Sequence, residues 1–115
     1  MEKKEKPIGK TTIAPDVLVS ICQLAALSVD GVSHLTSVPR EMNTLFKRGL
    51  SEGVDVAVED NFVYADLYVV LKRDVNIREV SHNIQAQVAR SISEMVGMEV
   101  GKVNIHVEDI DYSGK

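Results

Sequence analysis

The chain has no tryptophan, 4% aromatic residues, one cysteine and three prolines, and no apolar run near the roughly 18 residues that a membrane-spanning helix needs. Each shortage removes a class of function. A lone thiol, Cys22, makes no internal disulfide, and no amino-terminal apolar core resembles a signal peptide. The expected setting is therefore a reducing cytoplasm, with no direct membrane span and any membrane contact made through a partner. The scarcity of rings removes the stacking platforms of single-stranded nucleic-acid binders. Positive charge is also in deficit, 13 Lys and Arg against 17 Asp and Glu for a net charge of −4. Lys3, Lys4, Lys6 and Lys10 against Glu2 and Glu5 put +2 on the first ten residues, which leaves −6 on the remainder. An acidic body disfavours a phosphate backbone, so no nucleic-acid partner is expected.

What is present suits one globular domain: at 115 residues, 44% apolar and 26% charged, the chain can bury roughly two-thirds of its unfolded surface without a disulfide or metal. Residues 1–9 are expected to form a flexible basic tail, 10–112 a single domain, and 113–115 a second short tail. The clearest pattern runs from Asn76 to Asp109. Ile77, Val80, Ile84, Val88, Ile92 and Met95 step by three or four residues along one helical face, with Asn76 as N-cap and Gly97 as the left-handed stop. From Val103 the apolar period changes to two: Val103, Ile105 and Val107 face one way, Asn104, His106 and Glu108 the other. A strand returning through a helix this long is expected to cross over right-handed beside an earlier strand.

Upstream, Lys10 to Ala14 suggests a short strand. Pro15 then fits a first helical position, and Asp16 complements the positive helix end. Leu18, Ile21, Cys22, Ala25 and Val29 give that helix its buried stripe, and Asp30-Gly31 ends it before a short strand, Val32 to Leu35. Residues 36–52 are poorly patterned, although Met42, Leu45 and Phe46 suit one packed helical turn; this stretch is the expected mobile segment. Val54, Val56 and Val58 alternate with polar neighbours, Asp60-Asn61 forms a turn, and Val63, Ala65, Leu67, Val69 and Leu71 alternate with Tyr64, Asp66, Tyr68, Val70 and Lys72, which makes a hairpin. The expected fold is therefore α+β, ferredoxin-like in general character: a two-layer sandwich with both main helices on one face of a mixed, largely antiparallel sheet, in the order β-α-β-β-β-α-β. The other face stays wet.

Four stretches together resemble the bacterial alkaline-shock, Gls-type envelope stress family: TTIAPDVLVSICQLAALSVDGV, GVDVAVEDNFVYADLYVVLK, NIREVSHNIQAQVARSISEMVGMEV and VNIHVEDI. The likeness covers roughly residues 10–110 and rests on the order of its parts. These are the Ile-Ala-Pro opening, Gly31-Val32, Gly53-Val54, Ile84-Gln85 and the Met95-Val96-Gly97 helix stop. The chain departs from the family at Lys72-Arg73-Asp74-Val75, where members more often carry an aromatic-glycine turn. The resemblance implies a small cytoplasmic stress protein of envelope homeostasis in bacteria, without known enzymatic activity. It also implies self-association into a homo-oligomer and attachment to the membrane through a separate small anchor protein.

The residues themselves offer little chemistry. Gly9-Lys10-Thr11-Thr12 imitates the end of a phosphate-binding loop, but Lys4 stands where its opening glycine belongs and no strand precedes it. His34, His82 and His106 show no metal-ligand spacing, and Cys22 sits in an apolar stripe with no partnering histidine. Glu59-Asp60 and Glu108-Asp109-Asp111 fit neither a calcium loop nor a general acid–base pair. No catalytic residue, cofactor or metal is expected. The assignable feature is a contact surface on the wet sheet face: Tyr64, Asp66, Tyr68 and Val70 on one strand beside Asn104, His106, Glu108 and Ile110 on another. An unpaired edge strand would offer copies of the chain a second route to association. The alternative reading is an RNA-associated α+β module, for which Lys72, Arg73 and Arg78 would supply the basic strip.

Overall fold

The computed structural model describes residues 14–37, 49–51 and 53–113. Most of the expected opening strand, the amino-terminal tail, and the turn around Met42, Leu45 and Phe46 lie outside the described residues. Helix α1, Pro15–Leu27, begins at Ala14 with Pro15 in its first turn. It ends short of the expected Val29, whose amide donates to the Ala26 carbonyl three residues back, while the Ser28 hydroxyl donates to the Ala25 carbonyl at 2.7 Å. Strand β1 is Val32–Leu35, β2 Gly49–Ser51, β3 Val54–Glu59 and β4 Phe62–Lys72. Helix α2 runs Ile77–Val96 and β5 Glu99–Asp111. The additional short strand β2 arises where the sequence carried no pattern; it is held by pairing with β3, not by its own alternation.

Local chemistry sets the ends of these elements. Asp60 and Asn61 both take positive φ, 51° and 71°, as a two-residue type I′ hairpin turn requires, and so join β3 to β4. The Asn76 side chain accepts the Glu79 amide at 3.0 Å to open α2. Gly97, at φ 71°, closes α2 by donating its amide to the Ser93 carbonyl. At Lys72-Arg73-Asp74, Asp74 itself takes the left-handed conformation, φ 63°, that a turn glycine would otherwise supply.

Strand β4 is the spine of the sheet. β5 runs parallel along its whole length on one side, from Phe62 beside Glu99 to Lys72 beside Asp111. The other side is shared: β3 pairs antiparallel with the first half of β4, and β1 pairs antiparallel with the last residues. The two meet at Tyr68, whose amide donates to Gly53 and whose carbonyl accepts from Thr36. β1 and β3 are thus successive pieces of one interrupted strand along β4. β2 then adds outside β3.

Both helices lie on the same face, as expected, in contact with each other, with α2 against β5 and α1 against β1, β2 and β3. The core is Leu18, Ile21, Cys22 and Ala25 of α1 and Val80, Ile84, Val88 and Ile92 of α2 over Val54, Val56, Val63, Ala65, Leu67, Val69, Leu71 and Val103. The apolar stripe of α2 outruns the sheet it covers. Ile77 and Met95, expected on the buried face, are 47% and 64% exposed at its two ends.

Candidate functional site

The helix-free face of the sheet presents alternate residues of three strands. Register places Tyr64 beside Ala57 and Lys102, Asp66 beside Asp55 and Asn104, and Tyr68 beside His106. Asp66 is the hub: its Oδ1 lies 3.0 Å from both Asn104 Nδ2, which donates to it, and His106 Nε2. The His106 ring stacks on Tyr68 with centroids 4.4 Å apart and planes 9° from parallel. Burial, reinforced by the Asp66, Asp55 and Glu108 carboxylates, raises the Tyr68 phenol above its ordinary pKa.

Of the eight residues expected to form the contact surface, five are accessible on this face: Tyr64, Asp66, Asn104, His106 and Glu108. Tyr68 and Val70 are not, at 3% and 7% exposure, so this face is apolar beneath a polar and aromatic cover. From Leu67 to Leu71 every residue is buried, on both sides of the sheet. Ile110 also departs from expectation. A bulge at Glu108 lets Asp109 pair with Val70 and Ile110 with Leu71, which turns Ile110 to the helix side, where it packs against the core. A second bulge, at Gly101, seats the exposed ring of Tyr64: a Cβ built on Gly101 would fall 2.5 Å from Tyr64 Cε1.

At the far end of this face Ser33 of β1 reaches across to β5, its hydroxyl donating to Asp111 Oδ2 at 2.5 Å with His34 Nδ1 3.0 Å from the same hydroxyl. Hydrogen bonds from Ser113 and Ser33 hold the Asp111 carboxyl down at about 2. Ser33 thus stands between a carboxylate and an imidazole and ties β1 to β5 at this end of the sheet. His82 lies on an exposed turn of α2. Among the described residues no three His, Cys, Asp or Glu side chains are placed to hold a metal. Cys22 is wholly buried and its thiol is pushed up to about 12, the reverse of what a nucleophile needs. An open hollow of about 320 Å³ on the helix side is lined by Ser28, Asp30, Asn83, Gln87 and Arg90 together with the apolar Val29 and Ala86. Arg90 there pairs with Glu94 at 3.3 Å.

Two features bear on partners. The outer face of α1 carries Val17, Leu24 and Leu27 in the open, and Asp16 is the helix's sole charged residue. Sequence periodicity assigned that helix only its buried stripe; its near-absence of charge was the available signal for a second apolar face. Of the basic strip considered for RNA, Arg73 is paired with Asp74 at 3.3 Å, and Lys72 lies beside Asp111 in the sheet.

The fold and site define a small two-layer α+β protein with an ordered polar network on its helix-free sheet face and no convergence of reactive groups among the described residues. The chain belongs to the ASP23 family, of cell envelope-related function, which it matches over residues 3–112. It is similar to an uncharacterized protein of Streptococcus pyogenes serotype M6, 38% identical over 104 residues that cover 90% of this chain and 80% of that protein. It is also similar to YqhY of Bacillus subtilis, an uncharacterized protein 29% identical over 124 residues, covering 100% of this chain and 87% of that one. Two solved structures of the MamM CTD share the fold at 12% and 10% identity, each with a TM-score of 0.50 and 83% of this chain covered, and with 96% and 98% of their own chains covered. No helix among the described residues is long and apolar enough to cross a membrane.

Proposed function

We propose that this protein is a non-enzymatic component of the envelope stress response. It works in the cytoplasm by self-association and by holding a small membrane-linked partner. The observation that carries this reading is the helix-free sheet face. Tyr64 and Phe62 stand exposed there beside a polar network, Asp66, Asn104 and His106, whose side chains are already fixed by one another. Rings with a polar tip beside pre-ordered hydrogen-bonding groups suit protein contact, because little side-chain entropy remains to be lost on binding. The family's cell envelope-related function supports the setting, and the lack of a spanning helix among the described residues suits recruitment through a partner.

Two experiments test the two halves. Sedimentation at micromolar concentration is expected to show species larger than the monomer; a strictly monomeric chain overturns the self-association half. Cross-linking in the source cell, with the linked peptides identified, is expected to join Lys102 on the helix-free face to a membrane-inserted protein and to lose that link in Tyr64→Ala. Links confined to soluble proteins overturn the partner half.

A further inference from the structure

Among the described residues β5 is paired on one side only. A free edge along a strand of 13 residues is a ready template for another strand unless something blunts it. Here the bulges at Gly101 and Glu108 interrupt the ladder near both ends and leave Lys102 to Val107 as the regular run between them. The direction of its backbone groups is fixed by one contact. The Val103 carbonyl accepts a 2.9 Å hydrogen bond from Gln85 Nε2 of α2, so it points away from β4. By the alternation of a strand, the N–H and C=O groups of Val103, Ile105 and Val107 all face the free edge. The side chains of Lys102, Asn104, His106 and Glu108 share the helix-free face, and those of Val103, Ile105 and Val107 share the core face.

We infer that this edge pairs antiparallel with the same strand of a second copy, about a two-fold axis at Ile105; the inference rests on the self-association proposed above and names the surface that performs it. In that register Ile105 meets its own counterpart and Val103 meets Val107 of the second copy, so the edge-facing backbone groups pair reciprocally and the apolar face continues across the junction. On the other face Asn104 meets His106 within the regular run, and Lys102 meets Glu108, the bulge residue just past its end, once on each side of the axis. The neighbouring registers lose this complementarity. An axis at Asn104 puts Lys102 against His106 and Glu108 against Val100, and an axis at His106 puts Glu108 against Asn104 and Lys102 against Ile110. Two chains of net charge −4 repel, so a pair of opposite charges placed twice at the junction selects the register as well as strengthening it. The Gln85 amide guards one edge carbonyl, which keeps a second lone pair for the incoming strand.

The test is charge exchange on the full chain, read by sedimentation equilibrium at micromolar concentration with circular dichroism to check the fold. Lys102→Glu and Glu108→Lys alone are each expected to weaken association about tenfold, since both junction pairs become repulsive. The double variant is expected to restore association to within about threefold of the starting chain, because the pairs are re-formed with reversed sign. Association that ignores all three variants overturns the β5 edge while leaving self-association standing, and single losses without rescue overturn the register. A monomeric starting chain overturns this inference and the self-association reading together.

Discussion

The ring of Tyr68 lies face to face with the imidazole of His106, 4.4 Å between centroids, on a sheet face that no helix covers. His106 in turn is fixed by Asp66, which also receives Asn104. A tyrosine that alternation places on the wet face is therefore part of a second, smaller buried layer with Val70.

This separates the two tyrosines of β4. Tyr68→Ala is expected to destabilise the domain by about 3 kcal/mol, as a cavity opens under His106. Tyr64→Ala is expected to cost about 1 kcal/mol or less while weakening partner contact, since that ring is 38% exposed. Urea denaturation midpoints of the two variants check the contrast, and equal losses would contradict it.

Gly53 is where β3 takes over from β1 along β4. Its φ is +75°, and a Cβ there would lie 2.7 Å from Leu35 Cβ and 2.9 Å from the Thr36 carbonyl. Backbone cannot yield as a flexible side chain does. Gly53→Ala is expected to cost about 2 kcal/mol or more and to increase amide exchange at Tyr68, which donates to Gly53.

Burial lifts the Cys22 thiol from an ordinary 9.0 to about 12. Its neutral form is favoured by folding, so the associated stability is complete below pH 9 and is lost as pH rises toward 12, where the unfolded thiol ionises first. The stability difference between the native chain and Cys22→Ala is expected to shrink across that window. In the folded chain at about pH 8, a disulfide reagent is expected to label Cys22 only as fast as the domain opens.

Asp111 titrates at about 2, against an ordinary 3.8, chiefly because Ser113 and Ser33 donate to its carboxylate. A depressed carboxyl favours the folded form above its ordinary value and surrenders that preference as pH falls through the lower one. Ser33→Ala is expected to move the Asp111 carboxyl upward in an NMR titration. An unchanged value would assign the effect to Ser113 alone.

The sequence by itself determined the elements whose local and tertiary demands agree. The stripe Val80, Ile84, Val88 and Ile92 between Asn76 and Gly97, and the alternation of Val54–Val58 and Val63–Leu71 around Asp60-Asn61, leave little choice of structure, because helix caps, turn residues and apolar period point the same way. The wet face and its residues Tyr64, Asp66, Asn104, His106 and Glu108 followed from the same period of two. Only the tertiary structure decided that β1 and β3 share one side of β4, that β2 exists, and that Glu108 is a bulge which turns Ile110 inward. It alone decided that Tyr68 is sealed while Tyr64 stays open. Alternation specifies which face a residue takes, whereas pairing partners, bulges and burial depend on residues far away in the chain, and a one-residue slip reverses the face of everything beyond it.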